Sequence, residues 1–178
     1  SVRETLREVL KESKKHLDDL VRRVKEEIER SKKHIDDLIR RNKESLDDIR
    51  RTVEEKIKGR EILRKIEEAL KRNEDELRRI ATEAEKVHRD VEKTIREIVK
   101  ELRDVHREIE DAIRKKQDDS DLVRELIKRL KEINDRVAER IKDIIRKVRE
   151  ANKDLERKLR ELNKRSRDVL EEVVRAEE

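Results

Sequence analysis

Hydrophobic residues recur every three or four positions along the whole chain, which is the spacing of one face of an α-helix. In the first third of the chain the series consists of Leu6, Leu10, Leu17, Leu20, Val24, Ile28, Ile35, Leu38, Leu46, Ile49, Val53 and Ile57. Hydrophobic residues make up 31% of the sequence, close to the two positions in about seven of a coiled-coil seam. We therefore expect long helices that each pack against one or two neighbours and expose their other faces to water.

Three local signals divide this pattern into helices. Ser1 and Glu4 match the S-x-x-E capping box, which places a helix start at the first residue. Gly59, the only glycine, is expected in the left-handed conformation just past a helix C-terminus. Residues 117–120, Gln-Asp-Asp-Ser, supply N-cap side chains for a third helix. The predicted helices span about residues 2–58, 60–116 and 120–176.

The predicted fold class is all-α. Because both connections are short, successive helices should run antiparallel. The whole chain, 1–178, is then a single elongated up-down-up three-helix bundle with nearly straight, coiled-coil-like packing. A helix that continues through Gly59 is the alternative, and it would produce an open or swapped assembly.

A polar motif recurs within the first predicted helix. The segment SKKHLDDLVRR at 13–23 returns as SKKHIDDLIRR at 31–41 and more loosely as NKESLDDIRR at 42–51. The offsets of 18 and 11 residues are close to whole numbers of turns at about 3.6 residues per turn, so equivalent side chains return to the same helix face.

These repeats predict polar layers inside the bundle. The residue numbers of His16 and His106 add to 122, and the same sum holds for His34 with His88, as pairing between antiparallel helices requires. Asparagines of the third helix follow the first-helix histidines by a constant 118 residues. The first predicted layer contains Ser13, His16, His106 and Asn134, and the second contains Ser31, His34, His88 and Asn152. A third, less regular layer is expected to include Asn42, Ser45, Asn73, Asn163 and Ser166.

Two physical roles are open for these layers. Imidazole, amide and hydroxyl groups can satisfy one another in a structural network, which specifies register because each buried group left unpaired costs about 1–3 kcal/mol. Alternatively, the histidines form a pH switch. A buried imidazole has a lowered pKa, so stability falls below a pH of about 6.5, and four such groups would remove up to about 5 kcal/mol per pH unit.

Composition restricts the chemistry that the chain can perform. It contains no cysteine and no aromatic residue, so thiolate metal sites, cysteine nucleophiles and base-stacking platforms are excluded. Each predicted layer offers only two histidines beside weaker ligands, which argues against a metal site. The net charge of +5 is the small difference between 53 basic and 48 acidic residues, so we expect no dedicated nucleic-acid site. We also expect no enzyme activity, no cofactor and no membrane association.

The sequence resembles de novo designed helical bundles with buried hydrogen-bond networks. The resemblance covers the whole chain and rests on the reuse of SKKH(L/I)DDL(V/I)RR, the aliphatic core, the single glycine and the matched polar layers. It implies a synthetic structural scaffold that is soluble, has no native location and would be cytoplasmic on recombinant expression. No partner is required. The alternative function is a pH-responsive, heteromeric or swapped assembly module that self-associates or exchanges helices.

Overall fold

The computed structural model describes residues 1–116 and 118–177, except for the side chains of 176 and 177. It consists of α1 (Val2–Lys56), α2 (Arg60–Arg114) and α3 (Ser120–Glu177), and the described residues form no β-strand. The three helices pack against one another, which confirms the predicted all-α three-helix bundle. α1 and α2 end slightly before the predicted positions 58 and 116, and α3 extends one residue past 176.

The capping box predicted at the N-terminus is present. Ser1 Oγ accepts a hydrogen bond from the backbone N–H of Glu4 at 3.3 Å, and the Glu4 carboxylate lies 3.5 Å from the terminal ammonium group. The carbonyl of Ser1 also accepts the N–H of Thr5 at 3.2 Å. The first turn of α1 therefore has partners for N–H groups that a helix start leaves free.

Gly59 has a different role from the predicted one. It does not adopt a positive φ, so it is not the left-handed residue that ends α1. Its carbonyl accepts the N–H of Leu63 at 2.9 Å, which makes Gly59 the N-cap residue of α2. Because α1 ends at Lys56 and α2 begins at Arg60, the alternative of one continuous helix is excluded.

The connection between α2 and α3 is capped on both sides. Lys116, with a φ of 55°, is the left-handed residue at the end of α2, and its N–H donates to the carbonyl of Ile113 at 3.1 Å. Asp119 is the N-cap residue of α3, because its Oδ1 accepts the backbone N–H two residues later at 3.0 Å. The break therefore lies where the sequence predicts it, although Gln117 itself is outside the described residues.

Contacts between residues divide the chain into two compact units, and all three helices contribute to each. The first unit comprises Ser1–Glu29 and Arg89–Val148, and the second comprises Arg30–His88 and Arg149–Glu178. Each unit has its own aliphatic core, and burying one such side chain contributes about 1.5–3 kcal/mol. Fully buried members include Leu6, Leu102, Ile109 and Leu130 in the first core and Ile35, Leu70, Leu155 and Leu159 in the second.

Candidate functional site

The hydroxyl of Ser13 is the centre of a buried polar cluster that connects the three helices in the first unit. Its Oγ lies 2.7 Å from Nε2 of His106 on α2 and 3.0 Å from Oδ1 of Asn134 on α3. Ser13 and His106 are almost completely buried, with 3% and 4% of their surface exposed, and Asn134 is half-buried. We call these three residues the first cluster.

A second cluster in the other unit repeats the same chemistry. Ser31 Oγ lies 2.9 Å from Nε2 of His88 and 2.6 Å from Oδ1 of Asn152. Ser31 and His88 are buried, and Asn152 is half-buried. The repeat of 18 residues in α1 thus places one serine hydroxyl against one imidazole and one amide in each unit.

The serine hydrogen determines the direction of these bonds. A hydroxyl has a single hydrogen, and in both clusters it is donated to an asparagine Oδ1, which can only accept. The histidine Nε2 must then donate its own N–H to the serine oxygen. His88 and His106, when neutral, therefore have their proton on Nε2 rather than on Nδ1.

The prediction that His16 and His34 lie in the buried layers is wrong. At about 100° per residue, His16 lies about 60° to one side of Ser13, and Leu17 lies about 40° to the other side. The buried stripe follows Ser13 and Leu17, so the His16 side chain is turned into solvent. His34 has the same position relative to Ser31, remains 51% exposed, and lies 3.5 Å from a carboxylate oxygen of Glu156.

The register of α1 changes accordingly. The numbers of the paired serine and histidine, 13 with 106 and 31 with 88, add to 119 rather than the predicted 122. Each asparagine follows its serine by 121 residues, rather than following a histidine by 118. The cluster residues on α2 and α3 are those that the sequence predicts. On α1, however, the hydrogen-bonded residue is the serine, which lies three positions before the predicted histidine.

The predicted third layer is only partly formed. Asn73 Nδ2 donates to Ser166 Oγ at 3.0 Å, which joins two residues that the sequence analysis places in this layer. Ser166 in turn donates to the carbonyl of Leu162 in its own helix at 3.1 Å. The bond between Asn73 and Ser166 connects α2 and α3, and it does not include a residue of α1.

The other three members of that layer surround a cavity between α1 and α3. Asn42, Ser45 and Asn163 line this space of about 510 Å³. Asn42 Nδ2 donates to the carbonyl of Leu38 in its own helix at 3.0 Å. Asn163 Oδ1 is a buried acceptor that has no hydrogen-bond donor among the described residues. A polar layer across all three helices is therefore absent from this part of the described chain.

Burial lowers the pKa of His106 below its usual value, because the charged imidazolium would lose its hydration. Lys14 on α1 and Arg103 on α2 lower it further, whereas Glu110 and Asp18 act in the opposite direction. Lys14 also donates to the Glu110 carboxylate, and this bond lowers the pKa of Glu110. The net effect favours a neutral His106, which is the form that the first cluster uses.

The clusters are arranged to satisfy polar groups rather than to activate a nucleophile. A catalytic serine gives its hydrogen to a histidine nitrogen that acts as a base. Here the histidine donates to the serine, and the hydroxyl hydrogen points to an amide oxygen. Within residues 1–116 and 118–177, no group of three or more His, Asp or Glu side chains is placed to bind a metal ion.

None of the described helices contains a segment long and apolar enough to cross a membrane. Comparison with protein-family models, with curated proteins and with solved structures finds no match to this chain.

Proposed function

We propose that the protein is a designed structural scaffold without catalytic activity, in which the two Ser–His–Asn clusters determine which helix faces pair and in what register. The observation that supports the proposal most strongly is the repetition of one three-residue geometry in two units, each time with one residue from each helix. The near-identical repeats in α1 and the purely aliphatic core are consistent with a designed sequence. This function requires no cofactor and no partner.

The energetic basis is the cost of mispairing. If α1 were shifted along the bundle by one helical turn, aliphatic side chains of α1 would lie against His88 and His106. The hydroxyls of Ser13 and Ser31 would then lie against aliphatic side chains. Four buried polar groups would then lack hydrogen bonds, at about 1 kcal/mol each or more. Aliphatic contacts alone discriminate weakly between such registers, because Leu, Ile and Val can substitute for one another at modest cost.

The experiment that tests this role measures register directly. The chain has no cysteine, so single cysteines introduced at the exposed positions Glu12 and Asp104 can carry two spin labels, one on α1 and one on α2. We expect one narrow distance distribution for the parent. In a variant with all six cluster residues replaced by leucine or alanine, we expect a broad or multiple distribution with helicity retained.

A matched control replaces six buried leucines outside the clusters by isoleucine, which preserves hydrophobicity and volume. The substituted positions are Leu10, Leu70, Leu102, Leu130, Leu155 and Leu159. This control should keep the narrow distribution. If the cluster-free variant also keeps it, the short connections and the aliphatic core determine register and the proposal is wrong.

A pH-responsive scaffold is the second candidate, and the lowered pKa of His106 favours it. Because the folded pKa lies below the unfolded value of about 6.5, the unfolded chain binds more protons as the pH falls, and stability decreases. Light scattering at pH 7 and pH 4.5 distinguishes the candidates, since a change in mass or loss of the folded species only at the lower pH supports the switch.

A further inference from the structure

Four basic side chains form a stripe along one edge of α2. Arg96, Lys100, Arg103 and Arg107 are all exposed. Their spacing of four, three and four residues places them within about 60° of arc at about 100° per residue, over a length of about 16 Å. Lys25 of α1 lines the same groove and adds a fifth positive charge. The residues are dispersed in the sequence, and only the helical period brings them onto one edge.

The groove beside this stripe has an apolar floor. Val21 of α1 and Ile95 and Val99 of α2 line a cavity of about 460 Å³ between the two helices. A second space of about 390 Å³ next to it shares Ile95 and adds Ile28. We call the floor and the five cations together the basic groove, and all of its residues belong to the first unit.

The larger cavity of the basic groove contains five cations and one acidic residue, whereas cations along the edge between α2 and α3 are paired. Between α2 and α3, ion pairs join Arg129 to Glu108 at 2.8 Å and Arg165 to Glu76 at 2.9 Å. In the groove, Asp104 is the acidic residue of the larger cavity, and it lies 3.8 Å from Arg107. Glu29 and Glu92 line the smaller space beside Lys25 and Arg96.

The other four cations of the basic groove, on α1 and α2, form no ion pair with any part of the chain that the structure describes. Like charges three or four residues apart on a helix repel by about 0.2–0.5 kcal/mol per pair. A negatively charged partner would weaken this repulsion among the cations of the stripe.

We propose that the basic groove docks an acidic amphipathic helix of a partner protein. A groove between two helices that has an aliphatic floor can accept the aliphatic stripe of a helix from the partner protein, by ridge-into-groove packing. The cations follow the period of a helix, so carboxylates at positions i, i+4, i+7 and i+11 of a helix lying alongside α2 can each meet one of them. The scaffold function does not depend on this partner, so the two proposals can fail independently.

The apolar floor favours a helix over nucleic acid. A phosphate backbone would neutralise the cations but would not cover the apolar surface that Val21, Ile95 and Val99 contribute to the groove, and no aromatic side chain is present to stack on bases. A partner helix can pair its carboxylates with the cations and cover the apolar floor with its aliphatic side chains. The ligand must therefore combine carboxylates with aliphatic side chains on one helical face.

The direct test is binding of a fluorescein-labelled synthetic helix of about 18 residues, with leucines on one stripe and glutamates on its flanks. Fluorescence anisotropy should show saturable binding that weakens when the NaCl concentration is raised from about 0.1 M to about 0.5 M. A peptide with the same leucines and lysine in place of glutamate should not bind. If neither peptide binds, or a duplex DNA of about 20 base pairs binds as tightly as the acidic peptide, the proposal is wrong.

Two triple variants locate the site. The first variant combines three substitutions in the stripe, Arg96→Gln, Lys100→Gln and Arg103→Gln. It should weaken binding of the acidic peptide about tenfold, as expected for the loss of three exposed charge contacts. The matched control, with the same loss of charge at the same spacing on α3, is Arg124→Gln, Lys128→Gln and Lys131→Gln.

The control triple variant should change the dissociation constant less than about twofold. All six positions are exposed, so circular dichroism should show unchanged helicity in both variants. Equal loss of binding in the two variants would show that overall charge, rather than the groove, attracts the peptide, and would overturn the proposal.

Discussion

Replacing Ser13 by alanine removes one oxygen atom and leaves two polar partners without a hydrogen bond. The Nε2–H of His106 is buried and loses its acceptor at 2.7 Å, which costs about 1–3 kcal/mol. Asn134 is half-buried and can be partly hydrated, so the loss of its donor costs about 1 kcal/mol at most. The better helix propensity of alanine returns about 0.5 kcal/mol. We expect the free energy of unfolding to fall by about 2 kcal/mol.

Denaturant unfolding followed by far-UV circular dichroism is the appropriate assay, since the chain has no tryptophan or tyrosine for fluorescence. Ser31→Ala should give a similar loss, because Ser31 makes the same two contacts in the second cluster. The decisive variant combines Ser13→Ala with His106→Leu and Asn134→Leu. It removes all three polar partners and should recover stability to within about 1 kcal/mol of the parent, because no buried group is left unsatisfied.

Two results would refute this reasoning. A change below about 0.5 kcal/mol in Ser13→Ala would mean that water or another group replaces the hydroxyl without cost. A combined variant no more stable than Ser13→Ala would mean that the loss came from packing around position 13, rather than from unsatisfied polar groups.

Four further outcomes follow from the same geometry. Lowering the pH from about 6.5 to about 5 should reduce the free energy of unfolding by at most about 1.4 kcal/mol per pH unit through His106; a slope that persists unchanged in His106→Leu would contradict this assignment. ¹⁵N NMR of neutral His106 should place the proton on Nε2, and a proton on Nδ1 would mean that the bonds of the first cluster run in the opposite direction. Asn163→Leu should increase the free energy of unfolding by about 1 kcal/mol, because its Oδ1 lacks a donor; a clear decrease would reveal a bonded acceptor. Gly59→Ala should change the free energy of unfolding by less than about 0.5 kcal/mol, since the gain from a less flexible unfolded chain offsets a weaker N-cap. The added Cβ would meet Ile62 Cδ1 at an ordinary 3.8 Å, and a loss above about 1 kcal/mol would indicate a left-handed glycine after all.

The fold could be predicted because two independent patterns agree. The spacing of aliphatic residues identifies helices, and sparse breaks near Gly59 and residues 117–120 divide them. The role of Gly59 was predicted wrongly because glycine is favoured both just after one helix and at the N-cap of the next. Which of the two it adopts depends on where the last hydrogen bond of α1 forms, and the sequence alone does not determine that position.

The candidate site could be predicted at the level of composition and approximate height, but not at the level of individual pairs. His16 repeats at the same 18-residue interval as Ser13, so periodicity cannot distinguish them. Burial does, because Ser13 continues the stripe of Leu10 and Leu17 while His16 is turned away from it. A helical-wheel comparison of each polar residue with its aliphatic neighbours contains the missing signal. The number of charges along the chain likewise does not reveal the basic groove, because only the helical period brings its cations onto one edge of α2.

The incomplete third layer shows that polar residues at the same position along the bundle axis do not form a complete layer unless their hydrogen-bond donors and acceptors also match. In the register of the two clusters, Asn42 occupies the serine position and Asn163 the asparagine position, because they too are 121 residues apart. The histidine position, fixed by the sum of 119, falls on the buried Leu77. The Leu77 side chain has no N–H group to donate, and Asn42 donates to the carbonyl of Leu38 in its own helix. Asn163 Oδ1 is then left without a donor, which is the physical reason that one set of repeats produces two complete clusters and one cavity.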